Sequence, residues 1–383
     1  MDLTKYFKAF FESSQSSGIL LLFCVVLSLL LANSSLGPGF QSILDTMAGP
    51  YSVSVWINDG LMAIFFLLVG LEIKREIVEG ELSSFKNASL PIFAALGGMI
   101  VPALIYFAFN SGTEYQNGWA IPMATDIAFS LAIISMLGKS VPPSIKIFLA
   151  ALAIVDDLGA ILVIAFFYTE TLHWNYLFIC GAIVLLLIAL NYFKVKKHIF
   201  YLIPGIALWY CMHHSGIHAT IAGVLLAFTI PTNISTTEIS PLEKLEGKLH
   251  FPVSYIIMPL FALANVNILL KPGMVDELFS PLGYGIFFGL IVGKVVGINL
   301  FSLLAIKLKI SSLPEKSNWT QMIGTGLLAA IGFTMSIFIA LLSFKGLPHL
   351  QEEAKFAVLI TSTFAGFAGY FLLKMAGKKT AQE

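Results

Sequence analysis

The feature that most constrains this chain is a succession of apolar runs, most of them near the length of a bilayer crossing. They fall near residues 17–33, 57–73, 89–109, 119–137, 145–168, 175–193, 199–212, 217–230, 251–270, 282–305, 320–343 and 354–374. A transmembrane helix needs about 20 predominantly apolar residues. No run shows the period-2 alternation of a barrel strand. The expectation is an all-α integral membrane protein of about twelve transmembrane helices, forming a single polytopic membrane domain over residues 1–383 with no soluble domain. Composition agrees: 57% of the residues are apolar and 11% charged, against roughly 25% charged in soluble proteins. The 22 basic and 22 acidic residues balance, so no charge excess points to nucleic acid. Cys24, Cys180 and Cys211 are far apart, each in or beside an apolar run. They suggest buried packing rather than a disulfide framework or a zinc site. The first run follows Lys5 and Lys8 and ends at Ala32-Asn33-Ser34, a pattern shared with cleaved signal peptides. Because many more runs follow, it reads as an uncleaved first span.

Charge placement tests this count. Lys and Arg collect in the cytoplasmic loops of membrane proteins. With the N-terminus inside and twelve spans, 18 basic residues fall on the cytoplasmic side and 3, Lys271, Lys345 and Lys355, fall outside. The remaining one, Lys294, lies within a span. A wrong helix count would scramble that asymmetry, so both termini are expected in the cytoplasm.

Four charged positions in the fourth, fifth and tenth runs stand out: Asp126, Asp156, Asp157 and Lys294. A charge at the bilayer centre costs on the order of 3 kcal/mol on insertion scales. One Asp–Lys pair could serve only to join helices, but three carboxylates against one lysine leave negative charge that suits a bound cation. Asp126 follows Pro122 in Ile121-Pro122-Met123-Ala124-Thr125-Asp126-Ile127. A helix interrupted there would free backbone groups and helix ends carrying partial charge. The stretch Ala330-Ile331-Gly332-Phe333-Thr334-Met335-Ser336 is a second polar, glycine-containing interruption. The two occupy the middle members of spans 3–5 and 10–12, and paired interruptions in two halves point to a transporter site. Asp156 and Asp157 point about 100° apart on a helix. They cannot face each other, but one could hold Lys294 and the other a cation. Sodium prefers oxygen ligands, which Asp157, the Thr125 hydroxyl and backbone carbonyls could supply.

These residues resemble the NhaA family of sodium/proton antiporters. The resemblance runs through Val69 to Glu76, Trp119 to Phe129, Ala151 to Ala160, Gly216 to Thr220, Gly293-Lys294 and Ile331 to Phe338, in order along most of the chain. It implies inverted-topology repeats and an electrogenic exchange of two protons for one sodium or lithium ion, activated at alkaline pH, in a bacterial inner membrane. By resemblance, Asp157 is the main exchanging carboxylate with Thr125 nearby, Asp156 pairs with Lys294, and Asp126 balances the crossing helix ends. Glu72, Arg75, His218 and Glu246 resemble the family's cytoplasmic pH-sensing region. The chain departs from the relative compared at Gly247, where that relative has a histidine. The family dimerises through the outer region corresponding to residues 34–54, where Tyr51 to Trp56 alternates like a short strand. No soluble cofactor and no catalytic residue is implied; the partners are Na+, Li+, H+, membrane lipid and a second copy of the chain.

Other readings compete at this stage. An intramembrane aspartyl protease needs two facing aspartates, and a cation such as Lys294 would upset their shared proton. A channel would need a symmetric ring of ligands. A sodium-coupled symporter is the nearest rival and would need an organic-ligand pocket. The run Gly289 to Lys294 lacks one residue and the Ser/Thr of a phosphate loop. His214 and His218 have metal-ligand spacing but no evident third ligand. Glu72, Lys74, Arg75 and Glu76 also fit a solvated helix end.

Overall fold

The computed structural model describes residues 15–169, 171–232 and 239–380, with side chains through Gly377. Lys5 and Lys8, on which the cytoplasmic placement of the N-terminus rests, lie outside the described residues, as do the side chains of Lys378 and Lys379. The described chain is helical apart from turns and one small hairpin. In it Met47–Ala48 pairs antiparallel with Tyr51–Ser52, Met47 opposite Ser52 and Ala48 opposite Tyr51. Eight helices are long and apolar enough to cross a membrane, or up to ten if each of two sharply bent pairs forms one span. The protein is an all-α, multi-pass membrane protein. The short runs noted in the sequence become the 17-residue helix Ile199–Ser215 and the 9-residue helix Ile221–Thr229, both below a full crossing in length. Residues 34–54 hold the helix Gly37–Asp45 and the hairpin; of the strand-like stretch Tyr51 to Trp56 only Tyr51–Ser52 is extended, and Val53–Val55 begins a helix.

The chain divides into two compact units. The first comprises Met1–Ser34, Ser84–Ala160 and Asn265–Glu383. Its spine is the pairing of Phe85–Asn110 with Pro281–Lys307, the lysine helix. Small residues bring the two backbones together, as is common where lipid offers no hydrophobic drive to association. A Cβ added at Gly97 would stand 2.2 Å from the Gly297 carbonyl oxygen, and one at Gly293 would stand 2.7 Å from Pro102 Cα. The π-helical turn Gly289–Gly293 immediately precedes Lys294. Such a turn holds one extra residue and re-aims the side chains beyond it.

Both expected interruptions are present in this unit. Gln116–Met123 forms 3-10 turns, Ala124 and Asp126 are extended, and the α-helix starts again at Ile127–Met136. Pro122 lacks the N–H that a continuing helix would use. Trp319–Ala329 and Phe333–Ser343 are bent by 46° across the break at Ala330 to Gly332.

The second unit comprises Ser35–Ser83 and Ile161–Ala264. Its core gathers Leu67, Leu71, Leu208, Ala227, Leu242 and Leu245. Cys180 and Cys211 are buried in the same core as free thiols, and Cys24 is also free. The boundary between the units falls within one continuous helix, Pro143–Phe167, whose part through Ala160 belongs to the first unit.

Candidate functional site

The two interruptions are stitched to each other. Asp126 caps Ile127–Met136, its Oδ1 accepting from Phe129 N at 3.1 Å. Its Oδ2 accepts from Thr334 N at 3.0 Å and from the Thr334 hydroxyl. Thr334 lies in the first turn of Phe333–Ser343, so one carboxylate faces the N-termini of two helices. Each such end carries about half a positive charge. The carbonyls released by the breaks are taken up in return. Asp126 N donates to Ile331 O at 2.6 Å. The hydroxyls of Thr125, Ser130 and Ser336 donate to Ala329 O, Leu328 O and Ile121 O at 2.8, 2.7 and 2.7 Å. No backbone group in this set is left to the apolar interior, which is what an irregular segment at membrane depth requires.

Lys294 reaches this crossing from the lysine helix. It is fully buried; its Nζ donates to Asp156 Oδ2 at 2.5 Å and to Thr125 Oγ1 at 3.0 Å. The Thr125 hydroxyl has given its hydrogen to Ala329 and accepts from Lys294, so one of its two lone pairs remains. Asp156 and Asp157 are both buried, and Asp156 Oδ1 has no hydrogen-bond partner among the described residues. Asp157 lies one position further along the same helix and interacts electrostatically with Lys294. The structure therefore gathers the expected Asp156–Lys294 pair and Thr125 around one point, with Asp157 adjacent in the chain. Asp126, bonded to the helix ends, is next to Thr125 in sequence. Among the described residues no group of three or more His, Cys, Asp or Glu forms a metal-holding cluster. The oxygens here suit a hard monovalent cation as cargo.

The proposed sensing residues divide. Arg75 Nε lies 3.2 Å from Glu246 Oε2, and another of its nitrogens lies 3.1 Å from Glu76. Glu72, one turn earlier on the same helix, interacts electrostatically with Glu246 and Arg75. A Cβ at Gly247 would meet nothing within 4 Å, so the missing histidine leaves no packing defect. His218 stands apart from the three. Its Nε2 is 3.9 Å from Asp59 Oδ1, and its Nδ1 is 3.0 Å from the Thr220 hydroxyl. Asp59, which also lies 3.3 Å from His213 Nδ1, precedes Glu72 by 13 residues, roughly 20 Å along a helix. The hydrogen bond and ion pair of His218 thus lie with Thr220 and Asp59, while Arg75 pairs with Glu246 and Glu76. Lys74 is no solvated end residue either: its Nζ donates to Phe228 O and Ile230 O at 2.8 and 2.6 Å, covering the carbonyl end of Ile221–Thr229.

The partners of Asp126 escaped the sequence reading. Thr334 and Ser336 stood in a visibly polar interruption, but no spacing rule links Thr334 to a residue 208 positions away. Ser130 gave no signal at all, being one hydroxyl in an apolar helix.

Comparison with known proteins agrees with the geometry. The sequence profile of the family described as Na+/H+ antiporter 1 matches residues 8–373. Na(+)/H(+) antiporter NhaA 2 of Flavobacterium johnsoniae is 55% identical over 388 residues, covering 99% of this chain and 95% of that protein. Na(+)/H(+) antiporter NhaA of Flavobacterium psychrophilum is 51% identical, covering 100% of this chain and 99% of its own. The protein of that name from Dechloromonas aromatica is 48% identical, covering 97% and 96%. With a family profile matched over nearly its whole length and relatives this similar, the chain belongs to the Na+/H+ antiporter 1 family, membrane transporters that exchange Na+ for H+ rather than enzymes.

Proposed function

We propose that Asp157 is the carboxylate that exchanges sodium, or lithium, for a proton, with Thr125 as a neighbouring oxygen ligand. In this reading Asp156 and Lys294 form the second proton-exchanging element, and Asp126 holds the two helix N-termini in register. The observation that carries it is the buried Lys294–Asp156 pair beside Thr125. A fully buried lysine on a surplus of carboxylates is an arrangement a membrane protein retains for ion handling. Proton and sodium then compete for the same carboxylates, and competition with alternating access is enough for coupling.

Two protons would exchange for one sodium ion, so one net charge would move per cycle. That is worth about 2.3 kcal/mol per 100 mV, enough for the membrane potential to drive sodium out. Because protons block the carboxylates in acid, exchange rises toward alkaline pH, and the transporter serves sodium and pH homeostasis. The positive-inside asymmetry supports twelve spans with both termini cytoplasmic in a bacterial inner membrane. Under that count the two interrupted segments are the middle members of inverted repeats, spans 3–5 and 10–12. Glu72, Arg75 and Glu246 act as one pH-responsive cluster and His218 as a separate one. The outer hairpin at residues 47–52 pairs two copies into a homodimer within the lipid bilayer.

The test uses inside-out vesicles containing the full chain, with an acid interior built by respiration. Sodium should collapse the gradient, increasingly at alkaline pH, while potassium should not. The Asp157→Asn variant should lose exchange while remaining folded. Substantial residual exchange in that variant would remove the role given to Asp157, and collapse by potassium would remove the ion specificity.

A further inference from the structure

We infer that Asn299 and Ser302 of the lysine helix, together with Gln321 and Thr325 of Trp319–Ala329, form a hydrated seam that carries protons between the exposed start of Trp319–Ala329 and Lys294. The inference rests on the reading that Lys294 takes part in proton exchange. It adds a route that no residue of the carboxylate site explains.

Three buried atoms carry it. Asn299 Oδ1, Ser302 Oγ and Gln321 Nε2 have no hydrogen-bond partner among the described residues. Ser302, Gln321 and Thr325 are fully buried. An orphaned buried polar atom costs about 1–3 kcal/mol, and three along one helix pair call for a common ligand. The other atoms of these side chains are engaged. Asn299 Nδ2 donates to Val295 O at 2.8 Å, Gln321 Oε1 accepts from Asn318 N at 3.1 Å, and Thr325 donates to Gln321 O at 2.8 Å. Among the described residues each orphaned group is thus left for a partner such as water.

Asn299 and Ser302 belong to the lysine helix and Gln321 to Trp319–Ala329, two helices that pack against each other. Lys294 connects through Thr125 to Ala329. Five residues further along the lysine helix, Asn299 meets Gly326, where an added Cβ would stand 3.3 Å from Asn299 Nδ2. One helix thus advances as the other recedes. Ser302 follows Asn299 by nearly one turn, and Gln321 lies in the first turn of Trp319–Ala329 beside exposed Asn318 and Thr320. From Ser302 to Lys294 is eight residues, roughly 12 Å. About four hydrogen-bond spacings, and so about three water molecules, cover that distance.

The chemistry selects water. Gln321 Nε2 can only donate, Asn299 Oδ1 can only accept, and a serine hydroxyl does both. A desolvated sodium ion wants oxygen lone pairs alone, and the amide N–H groups would face it with the wrong sign. Water accepts from one group and donates to the next, which is the alternation a relayed proton needs.

The test reconstitutes the full chain in liposomes and measures exchange at saturating sodium in H2O and D2O. Ser302→Val and Gln321→Met should each lower the maximal rate several-fold and enlarge the isotope effect while leaving the KM for sodium unchanged. Ser302→Thr should keep the wild-type rate. The inference is overturned if the double variant exchanges at the wild-type rate with the wild-type isotope effect, or if KM rises in step with the rate loss. Lys294→Gln separates the two readings. If it exchanges like wild type, the role given to Lys294 fails; if it is impaired while the seam variants are not, the seam alone fails. Should the variants not fold, hydroxyl-radical footprinting of the wild-type protein decides. Buried Met322 should be oxidised alongside exposed Met47, and oxidation of Met47 without Met322 overturns the seam.

Discussion

The Lys294–Asp156 pair invites a double-mutant cycle. Lys294→Met keeps the stem of the side chain and removes its charge, leaving Asp156 buried without the donor at 2.5 Å. Both side chains are almost wholly inaccessible, at 0% and 1% exposure, so solvent cannot replace the lost partner. Breaking a buried ion pair from one side costs about 3–5 kcal/mol, which is roughly two to three and a half powers of ten in the folding equilibrium. Thr125 loses the ammonium donor as well, but its own hydrogen still bonds Ala329 O, so what remains there is one unpaired lone pair on a neutral hydroxyl, a cost of about 1 kcal/mol. Replacing both partners, Lys294→Met with Asp156→Leu, removes the uncompensated charge. Substituting apolar side chains for a whole buried pair is often neutral, so the double variant should return to within about 1–2 kcal/mol of wild type. Equilibrium unfolding in mixed micelles, followed by helical circular dichroism, supplies the four stabilities. A cost below about 1 kcal/mol for Lys294→Met would refute this reasoning, as would a double variant destabilised by the sum of the single effects.

Other contacts give further expected outcomes. Thr334→Val deletes a hydroxyl donor to the Asp126 carboxylate and should cost about 1.5–3 kcal/mol in the same unfolding assay, whereas Thr334→Ser should stay close to wild type. Gly297→Ala places a Cβ 2.1 Å from the Gly97 carbonyl oxygen; it should destabilise by about 1–3 kcal/mol and slow exchange by displacing Lys294, one turn away. Gly247→Ala, facing open space, should change stability by less than about 0.5 kcal/mol. Arg75→Gln and His218→Ala, which touch separate clusters, should shift the pH profile of exchange additively to within about 0.5 kcal/mol; a strongly non-additive double variant would show that the clusters communicate.

What was legible in the sequence was what membrane physics makes expensive. Asp126, Asp156, Asp157 and Lys294 stood out because a bilayer interior rarely holds charge; opposite signs suggested that Asp156 or Asp157 holds Lys294, and the choice of Asp156 came from the resemblance to the antiporter family. Both breaks were visible because Pro122 and Gly332 sit among polar neighbours in apolar runs. The remainder depends on distances that no local rule encodes. Neutral donors such as Ser130 and Thr334 are cheap to carry in a helix, so nothing marks them until a partner carbonyl or carboxylate is found. The neighbours of His218 were hidden for a related reason: resemblance groups residues by shared function, whereas Asp59, the carboxylate beside it, lies roughly 20 Å along the helix from Glu72. The backbone contact of Gly97 with Gly297 was equally hidden, since a glycine in an apolar run reads the same whether it touches a helix or lipid.

The crossing also explains how an ion could act on the fold without a long lever. Two N-terminal helix ends face Asp126, and the Thr125 hydroxyl links Lys294 to the carbonyl end at Ala329. That hydroxyl oxygen is at once a neighbour of the ion pair and a stitch between two broken segments. A cation or proton that draws Asp156 away from Lys294 leaves the ammonium with Thr125 as its sole remaining protein acceptor in this set. The ammonium then either leans harder on Thr125 or gives up its proton, and each choice changes the charge facing Ala329. A ligand shifts a conformational equilibrium only by the difference in its interaction with the two states. In the proposed mechanism that difference is built in, because Thr125, proposed as an ion ligand, also bonds the helix end at Ala329.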